Sequence, residues 1–272
     1  MKIAFDFGIT NTDIACDHDG EISYSCFPSE DVNFYFIEKL LKLLNLDTNI
    51  ISAIDVTGGK SSDLADSYKD IPIIKINEIQ AIGYGAKELC KIKDSSFIVM
   101  SCGTGTACVA YMNNEFEHLG GISVGGGTLQ GLSNILTGIS DPKKIDELAL
   151  QGSKSNLDAL IGEVVNDIGS LHADVTASNF SKARFNKNFT DADVESSLSN
   201  MIGEVIGTIS YLNAMLCNES KVYFLGRSSL NTVIRTGIED RLKLANIAGM
   251  FEDEREYGNV LGALLYLKAK LT

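Results

Sequence analysis

The chain is short of the features that mark a nucleic-acid binder, a metal-cluster protein or a tethered array. Basic residues are outnumbered, 23 Lys and Arg against 36 Asp and Glu, which leaves a formal net charge of -13 and a pI near 4.7. Binding a phosphate backbone needs a clustered basic footprint, so nucleic acid is excluded as a main partner. Proline occurs only three times and no Ser/Gly/Pro linker interrupts the 272 residues. Any division therefore runs between packed lobes. The six cysteines, Cys16, Cys26, Cys90, Cys102, Cys108 and Cys217, form no C-x-x-C pair and no metal-ligand spacing with His18, His118 or His172. They read as reduced core thiols. The first residues carry no basic segment followed by an apolar run, so a cytoplasmic location is expected. Residues 95–114 and 118–140 lack charge over about the length of a membrane span, but Gly, Ser, Thr and Asn fill them. Lipid would leave those backbones poorly satisfied, and no membrane association is expected.

What the chain does have is apolar patterning, 44% hydrophobic residues over a length that suits one large α/β domain or two lobes with a cleft. Lys2 to Phe7 reads as a strand; Asp13 to Cys16 and Ile22 to Phe27 complete an antiparallel meander around the turn Asp17-His18-Asp19-Gly20. Phe34, Ile37, Leu40, Leu41 and Leu44 predict a helix within Asp31 to Leu46, and Ile50 to Val56 follows as a buried strand. Ile71 to Ile76 is another strand and Asn77 to Cys90 a helix, before Ser96 to Met100 opens a second strand system. The switch sets a lobe boundary near residue 92, with an N-terminal lobe of residues 1–92 and a C-terminal lobe of residues 93–272. Val194, Leu198, Met201, Ile202, Val205, Ile209, Leu212 and Leu216 form the longest amphipathic helix, a core or dimer element. A strand at Lys221 to Leu225 and a helix from Asn259 to Lys270 close the chain. Each half holds an apolar strand ending in a small-residue turn, Asp6-Phe7-Gly8-Ile9-Thr10 and Ser101-Cys102-Gly103-Thr104-Gly105-Thr106. Two such devices suggest a duplicated architecture with a cleft between the copies.

Nine of the 25 glycines fall between Gly103 and Gly138. Without Cβ, a backbone can approach a ligand and turn successive N–H groups outward into an anion-binding concavity. Gly125-Gly126-Gly127-Thr128-Leu129-Gln130-Gly131-Leu132 then passes into a helical pattern, which offers a helix N-terminus to phosphate. Three common nucleotide motifs are absent. Thr57-Gly58-Gly59-Lys60-Ser61 resembles the end of a P-loop, but Ile54 stands where its first glycine belongs. No G-x-G-x-x-G follows the first strand, and protein-kinase signatures are missing. Gly121-Ile122-Ser123-Val124-Gly125 fits a G-x-S-x-G elbow, followed by Asp141, Asp146, Asp158, Asp167 and then His172, the hydrolase order. Its context is wrong, with no buried parallel strand before it and no oxyanion motif upstream.

Two carboxylates stand out. Asp6 ends an apolar strand beside a phosphate turn, a placement that suits Mg²⁺, which is held by one or two carboxylates, waters and substrate oxygens. Glu78 opens a helix after a strand and reads either as a general base or as an acid favourable to the helix dipole.

Asp6-Phe7-Gly8-Ile9-Thr10, Asn77-Glu78-Ile79-Gln80-Ala81, Gly103-Thr104-Gly105-Thr106 and the block Leu119 to Leu132, in that order, resemble type II pantothenate kinases. Ala177-Ser178-Asn179-Phe180 is similar to that family's Ala-Ser-x-Phe segment, and Leu225-Gly226-Arg227-Ser228 to its last nucleotide loop. The resemblance implies an α/β, two-lobed, actin-like (ribonuclease H-like) fold with a central cleft. It also implies ATP with Mg²⁺ and phosphorylation of pantothenate at its primary hydroxyl, the first step towards coenzyme A. On it, Glu78 is the general base and Asp6 holds magnesium through water. Asp6, Phe7, Gly8, Ile9, Thr10, Asn11, Thr12 and Asp13, Gly103, Thr104, Gly105 and Thr106, and Gly126, Gly127, Thr128, Leu129 and Gln130 with Ser228 line the nucleotide site. Ser101, His118 and Ala177 contact pantothenate. A homodimer and acyl-coenzyme A as a feedback ligand are further implications. Three positions depart from the family pattern: Ile9 replaces a glycine, Asp13 stands where a lysine is expected, and His118 replaces an arginine. They motivate two alternatives, a sensor that binds ATP or acyl-coenzyme A with little turnover, and a kinase for another hydroxylated acceptor such as an amino sugar.

Overall fold

A computed structural model describes residues 1–166 and 172–270 of the chain. The first sheet comprises β1 (Lys2–Phe7), β2 (Asn11–His18), β3 (Glu21–Pro28), β4 (Ala53–Thr57), β5 (Ser67–Tyr68) and β6 (Ile71–Lys75), in the order β3-β2-β1-β4-β6-β5. Strands β1 to β3 form the antiparallel meander, turned between β2 and β3 by Asp19 (φ 54°) and Gly20 (φ 95°). β4 then joins β1 in parallel and β6 joins β4 in parallel. Parallel pairing needs a crossover, which α1 (Phe34–Leu43) supplies. This helix is shorter than the apolar spacing suggests, because the Asn33 side chain caps it by accepting from the Phe36 N–H at 2.9 Å. It lays Phe36, Ile37, Leu40 and Leu41 against Phe5, Phe7, Ile54 and Val56.

α2 (Glu78–Leu89) leads into the second sheet, which begins with β7 (Phe97–Cys102), β8 (Thr106–Met112) and β9 (Glu115–Ile122). Next come α3 (Gly126–Thr137), α4 (Pro142–Gln151), the short pair β10 (Ala159–Leu160) and β11 (Thr176–Ser178), and α5 (Ile161–Val164) between them. α6 (Asp191–Leu216), β12 (Lys221–Leu225), α7 (Thr232–Lys243), β13 (Ala248–Met250) and α8 (Gly258–Lys270) complete the chain. The second sheet runs β13-β12-β7-β8-β9, again an antiparallel meander whose first strand is extended by parallel neighbours. Both sheets thus repeat one plan.

The last helix does not stay with the second sheet. Val260, Ala263 and Leu264 of α8 pack with Ala4 and Ala15 of β1 and β2, so α8 covers the first sheet although it lies in the second half of the sequence. It does so by crossing α2 at glycine contacts. A Cβ at Gly85 would fall 1.9 Å from the Gly258 carbonyl oxygen, and one at Gly262 would fall 1.9 Å from that of Ala81. Small residues let the two backbones touch, and the pair fills the space between the sheets.

α6 is mostly buried, with Leu198, Ile202 and Ile206 in the core of the second half, while Leu212, Met215 and Leu216 at its C-terminal end are exposed. No helix among the described residues is long and apolar enough to cross a membrane. All six cysteines are free. Cys102 and Cys108 are buried, which pushes both thiols up to about 12, whereas Cys26 is exposed rather than a core thiol.

Candidate active site

Four glycine-bearing turns meet at one cleft of about 750 Å³ between the sheets. The first follows β1: the Gly8 N–H donates to the Asp6 carbonyl at 3.1 Å, and a Cβ on Gly8 would lie 2.6 Å from the Asn11 carbonyl oxygen. The second links β7 to β8, where the Gly103 N–H donates to the Gly105 carbonyl at 2.8 Å. The third opens α3 and is stitched onto the second, with the Gly126 N–H on the Gly103 carbonyl at 2.9 Å and the Gly127 N–H on the Thr104 carbonyl at 3.0 Å. The fourth follows β12, and its Ser228 hydroxyl donates to the Gly103 carbonyl at 2.7 Å. Across the cleft the hydroxyls of Thr10 and Thr104 lie 3.0 Å apart. Two sheets therefore bring side-chain-free turns and the N-terminus of α3 to one space, where the helix dipole suits an anion.

The acids stand at the floor. Asp6 is the register partner of Asp13 on β2 and of Thr57 on β4. Desolvation raises its carboxyl to about 7, helped by the negative charges of Asp13 and Glu78 and opposed by a hydrogen bond from Asn259 and the charge of Arg227. Asn259 at the start of α8 also accepts from the Ser101 hydroxyl at 3.3 Å, which links the two sheets through one side chain. Glu78 is the first residue of α2, held at the cleft edge by Asn77, whose side chain accepts from the Ile79 N–H at 2.9 Å.

Of the residues expected at the nucleotide site, all but Thr12 and Thr128 line the cleft. Thr12 is buried at the turn and its hydroxyl pairs with Ser29 at 3.0 Å. The Thr128 hydroxyl donates to the Ser123 carbonyl at 3.0 Å and caps the start of α3. Both hydroxyls are engaged within the protein, that of Thr12 by a side chain and that of Thr128 by a backbone carbonyl. Ser101 and His118 line the cleft as expected. Ala177 does not; it is exposed on β11. Its neighbours tie that strand to the α6 side: the Phe180 N–H donates to Asp158 at 2.8 Å and the Asn179 amide to Glu204 at 3.0 Å. The hydrolase arrangement dissolves, since Ser123 lines the cleft while His172 lines a separate pocket of about 330 Å³ with Lys154 and Glu204. Asp167 lies outside the described residues.

Several wall residues went unread in the sequence. Gly58 and Gly59 adopt φ of 72° and 48°, and a Cβ on Gly58 would sit 2.5 Å from an Asp6 carboxylate oxygen. They were legible only as a failed P-loop. Asn259 and Glu256 also line the cleft, beside Arg227 of the last glycine loop; nothing in local spacing shows that the chain end folds back onto β1.

The Fumble family model matches residues 10–236. A type II pantothenate kinase of Bacillus cereus (strain AH820) is 30% identical over 279 residues, covering 98% of each chain. The chain belongs to the type II pantothenate kinase family. A family member from Staphylococcus epidermidis is 27% identical over 271 residues, 97% of this chain and 99% of that one. Among solved structures, the activator of the 2-hydroxyisocaproyl-CoA dehydratase from Clostridium difficile, with bound ADPNP, matches with a TM-score of 0.68 at 15% identity over 99% of this chain and 96% of that one. A ROK family glucokinase from Streptomyces griseus, in complex with glucose and AMPPNP, matches with a TM-score of 0.57 at 12% identity over 97% of both chains. These likenesses show the fold, α/β with two actin-like lobes; they do not choose a substrate.

Proposed function

We propose that this chain transfers the γ-phosphoryl group of ATP to the primary hydroxyl of pantothenate, the entry step towards coenzyme A. The observation that carries the reading is the convergence of the Gly8, Gly103, Gly126 and Ser228 turns on one cleft that also holds Asp6 and Glu78. Phosphoryl transfer asks little covalent chemistry of a protein, so positioning and electrostatics do most of the work. The glycine turns and the N-terminus of α3 give the phosphates close backbone approach, and Leu129, Gln130 and Ser228 border the nucleoside. Glu78 removes the proton from the attacking hydroxyl, a contribution of roughly 10²–10⁴ in rate. Ser101 and His118 orient the acceptor.

Magnesium fits one role only. Among the described residues no group of three or more His, Cys, Asp or Glu side chains could hold a metal ion. A single carboxyl raised to about 7 among other acids suits a cation held through water and phosphate oxygens, and Asp6 is that group. Bound there, magnesium would neutralise phosphate charge.

Membership in the family also supports a homodimer, for which Leu212, Met215 and Leu216 on α6 supply exposed apolar surface. Feedback by acyl-coenzyme A and a cytoplasmic location belong to the same proposal. An amino-sugar acceptor is not favoured, because the sugar kinases match only in fold, at 12–13% identity for the ROK glucokinase and a putative N-acetylmannosamine kinase of Listeria monocytogenes. Release of ADP measured over an acceptor panel tests the choice. Turnover with pantothenate and none with N-acetylmannosamine or glucose is expected. Tight ATP binding without pantothenate-dependent ADP release would replace the kinase by a sensor.

A further inference from the structure

The cleft is acidic for a site that takes a triphosphate. Among the described residues on its wall, Asp6, Asp13, Glu78 and Glu256 are carboxylates, and Arg227 is the only lysine or arginine. Asp13 is 5% exposed on β2, and Arg227 reaches it from the other sheet with Nη1 and Nη2 on its two oxygens, each at 2.5 Å. The backbone under Arg227 is fixed. Gly226 (φ 87°) donates its N–H to the Arg255 carbonyl at 2.9 Å, and a Cβ on it would fall 2.4 Å from the Cys102 carbonyl oxygen. The next residue, Ser228, is bonded to the second phosphate turn. The guanidinium thus stands between that turn and the acids beside the first one, with its side chain 31% exposed and lying over the Tyr257 ring at 5.3 Å. Asp13 takes two of its five N–H donors. An acid at position 13, where the family pattern carries a lysine, is answered by a cation delivered from the opposite lobe.

We infer that Arg227 is a nucleotide-phosphate ligand and that Asp13 competes with the phosphates for it, so that this pair sets nucleotide affinity. The inference rests on the kinase reading above. A guanidinium grips phosphate oxygens bidentately as readily as carboxylate oxygens. Its two neighbours are therefore rivals, and the two halves of the ion pair have opposite effects on binding.

The test is titration of the full-length protein with ATP and with adenosine, for the wild type, Arg227→Met, Arg227→Lys and Asp13→Asn. Arg227→Met is expected to weaken ATP about ten- to a hundredfold and to leave adenosine within about twofold. Arg227→Lys loses less, and Asp13→Asn tightens ATP by about threefold or more. If Asp13→Asn and the Arg227 variants all weaken ATP and adenosine together, the pair is a structural clasp and the inference falls. Should Arg227→Met fail to fold by circular dichroism, Arg227→Lys and Asp13→Asn decide by the same criterion. A wild type that binds ATP but transfers nothing to pantothenate overturns the proposed function and leaves the inference standing. Same-sign shifts in an enzyme that phosphorylates pantothenate do the reverse, and a wild type that binds no ATP overturns both.

Discussion

The turn after β1 and the turn after β7 occupy matching places in two sheets built on one plan, yet they are anchored differently. The second turn receives bonds from two other segments: Gly126 and Gly127 at the start of α3, and Ser228 beyond β12. The first is held mainly by its own meander, with the Ser29 hydroxyl on the Gly8 carbonyl at 2.7 Å and the Ser29 N–H on the Thr10 carbonyl at 3.0 Å. Ile9 at its tip is 84% exposed. The stitched turn is preformed, and the looser turn carries the acids Asp6 and Asp13 at its base. Rigidity and charge are thus divided between the two copies of one motif.

Substitution at Asp6 should break the acidic side of that division most severely. Asp6→Asn is expected to lower kcat by roughly a hundredfold or more while raising thermal stability near pH 7.5. The sign follows from its titration near 7 against an ordinary value of 3.8. Between those values the folded protein binds more protons than the unfolded chain, so stability falls as pH rises through that window, by on the order of a few kcal/mol. Melting curves from pH 4 to 8 for both proteins check it; a wild-type stability that climbs towards pH 7 relative to Asp6→Asn would contradict the buried-acid account. Gly125→Ala attacks the stitched turn. Its Cβ would lie 2.8 Å from the carbonyl oxygens of Gly103 and Thr104, so the stitching must open, at about 1–3 kcal/mol and about tenfold or more in ATP affinity. Unchanged melting and unchanged ATP binding would mean the turns need not be stitched. Ile9→Gly probes the looser copy and should do least. No packing is lost, closer backbone approach to phosphate becomes open, and the KM for ATP is expected to fall by no more than about threefold. A tenfold rise would show that Ile9 itself contacts the ligand.

Much of this architecture could be read along the chain, because local patterns carried it. The strand at Lys221–Leu225 and the meander from Lys2 follow from short apolar runs bounded by turn residues, and the three glycine clusters announced the cleft. Asp6 and Glu78 were visible as acids at element ends. Hidden were the facts that depend on distant pairing. Asp13 and Arg227 are 214 positions apart, and Asn259 reaches Asp6 only because α8 crosses α2 on glycine contacts. Periodicity does not encode such crossings. Thr12 and Thr128 stand off the cleft wall for a related reason: a small polar residue near a glycine turn can face the cleft or pair behind it, and only the register decides.

Transfer of labelled γ-phosphate from ATP to pantothenate, by the wild type and by Glu78→Gln, decides whether this cleft is a kinase site with Glu78 as its base. Labelled phosphopantothenate is expected from the wild type, with a rate lower by roughly 10²–10⁴ in the variant at unchanged ATP affinity and melting temperature. A Glu78→Gln enzyme that transfers phosphate within about threefold of the wild-type rate would contradict that role for Glu78.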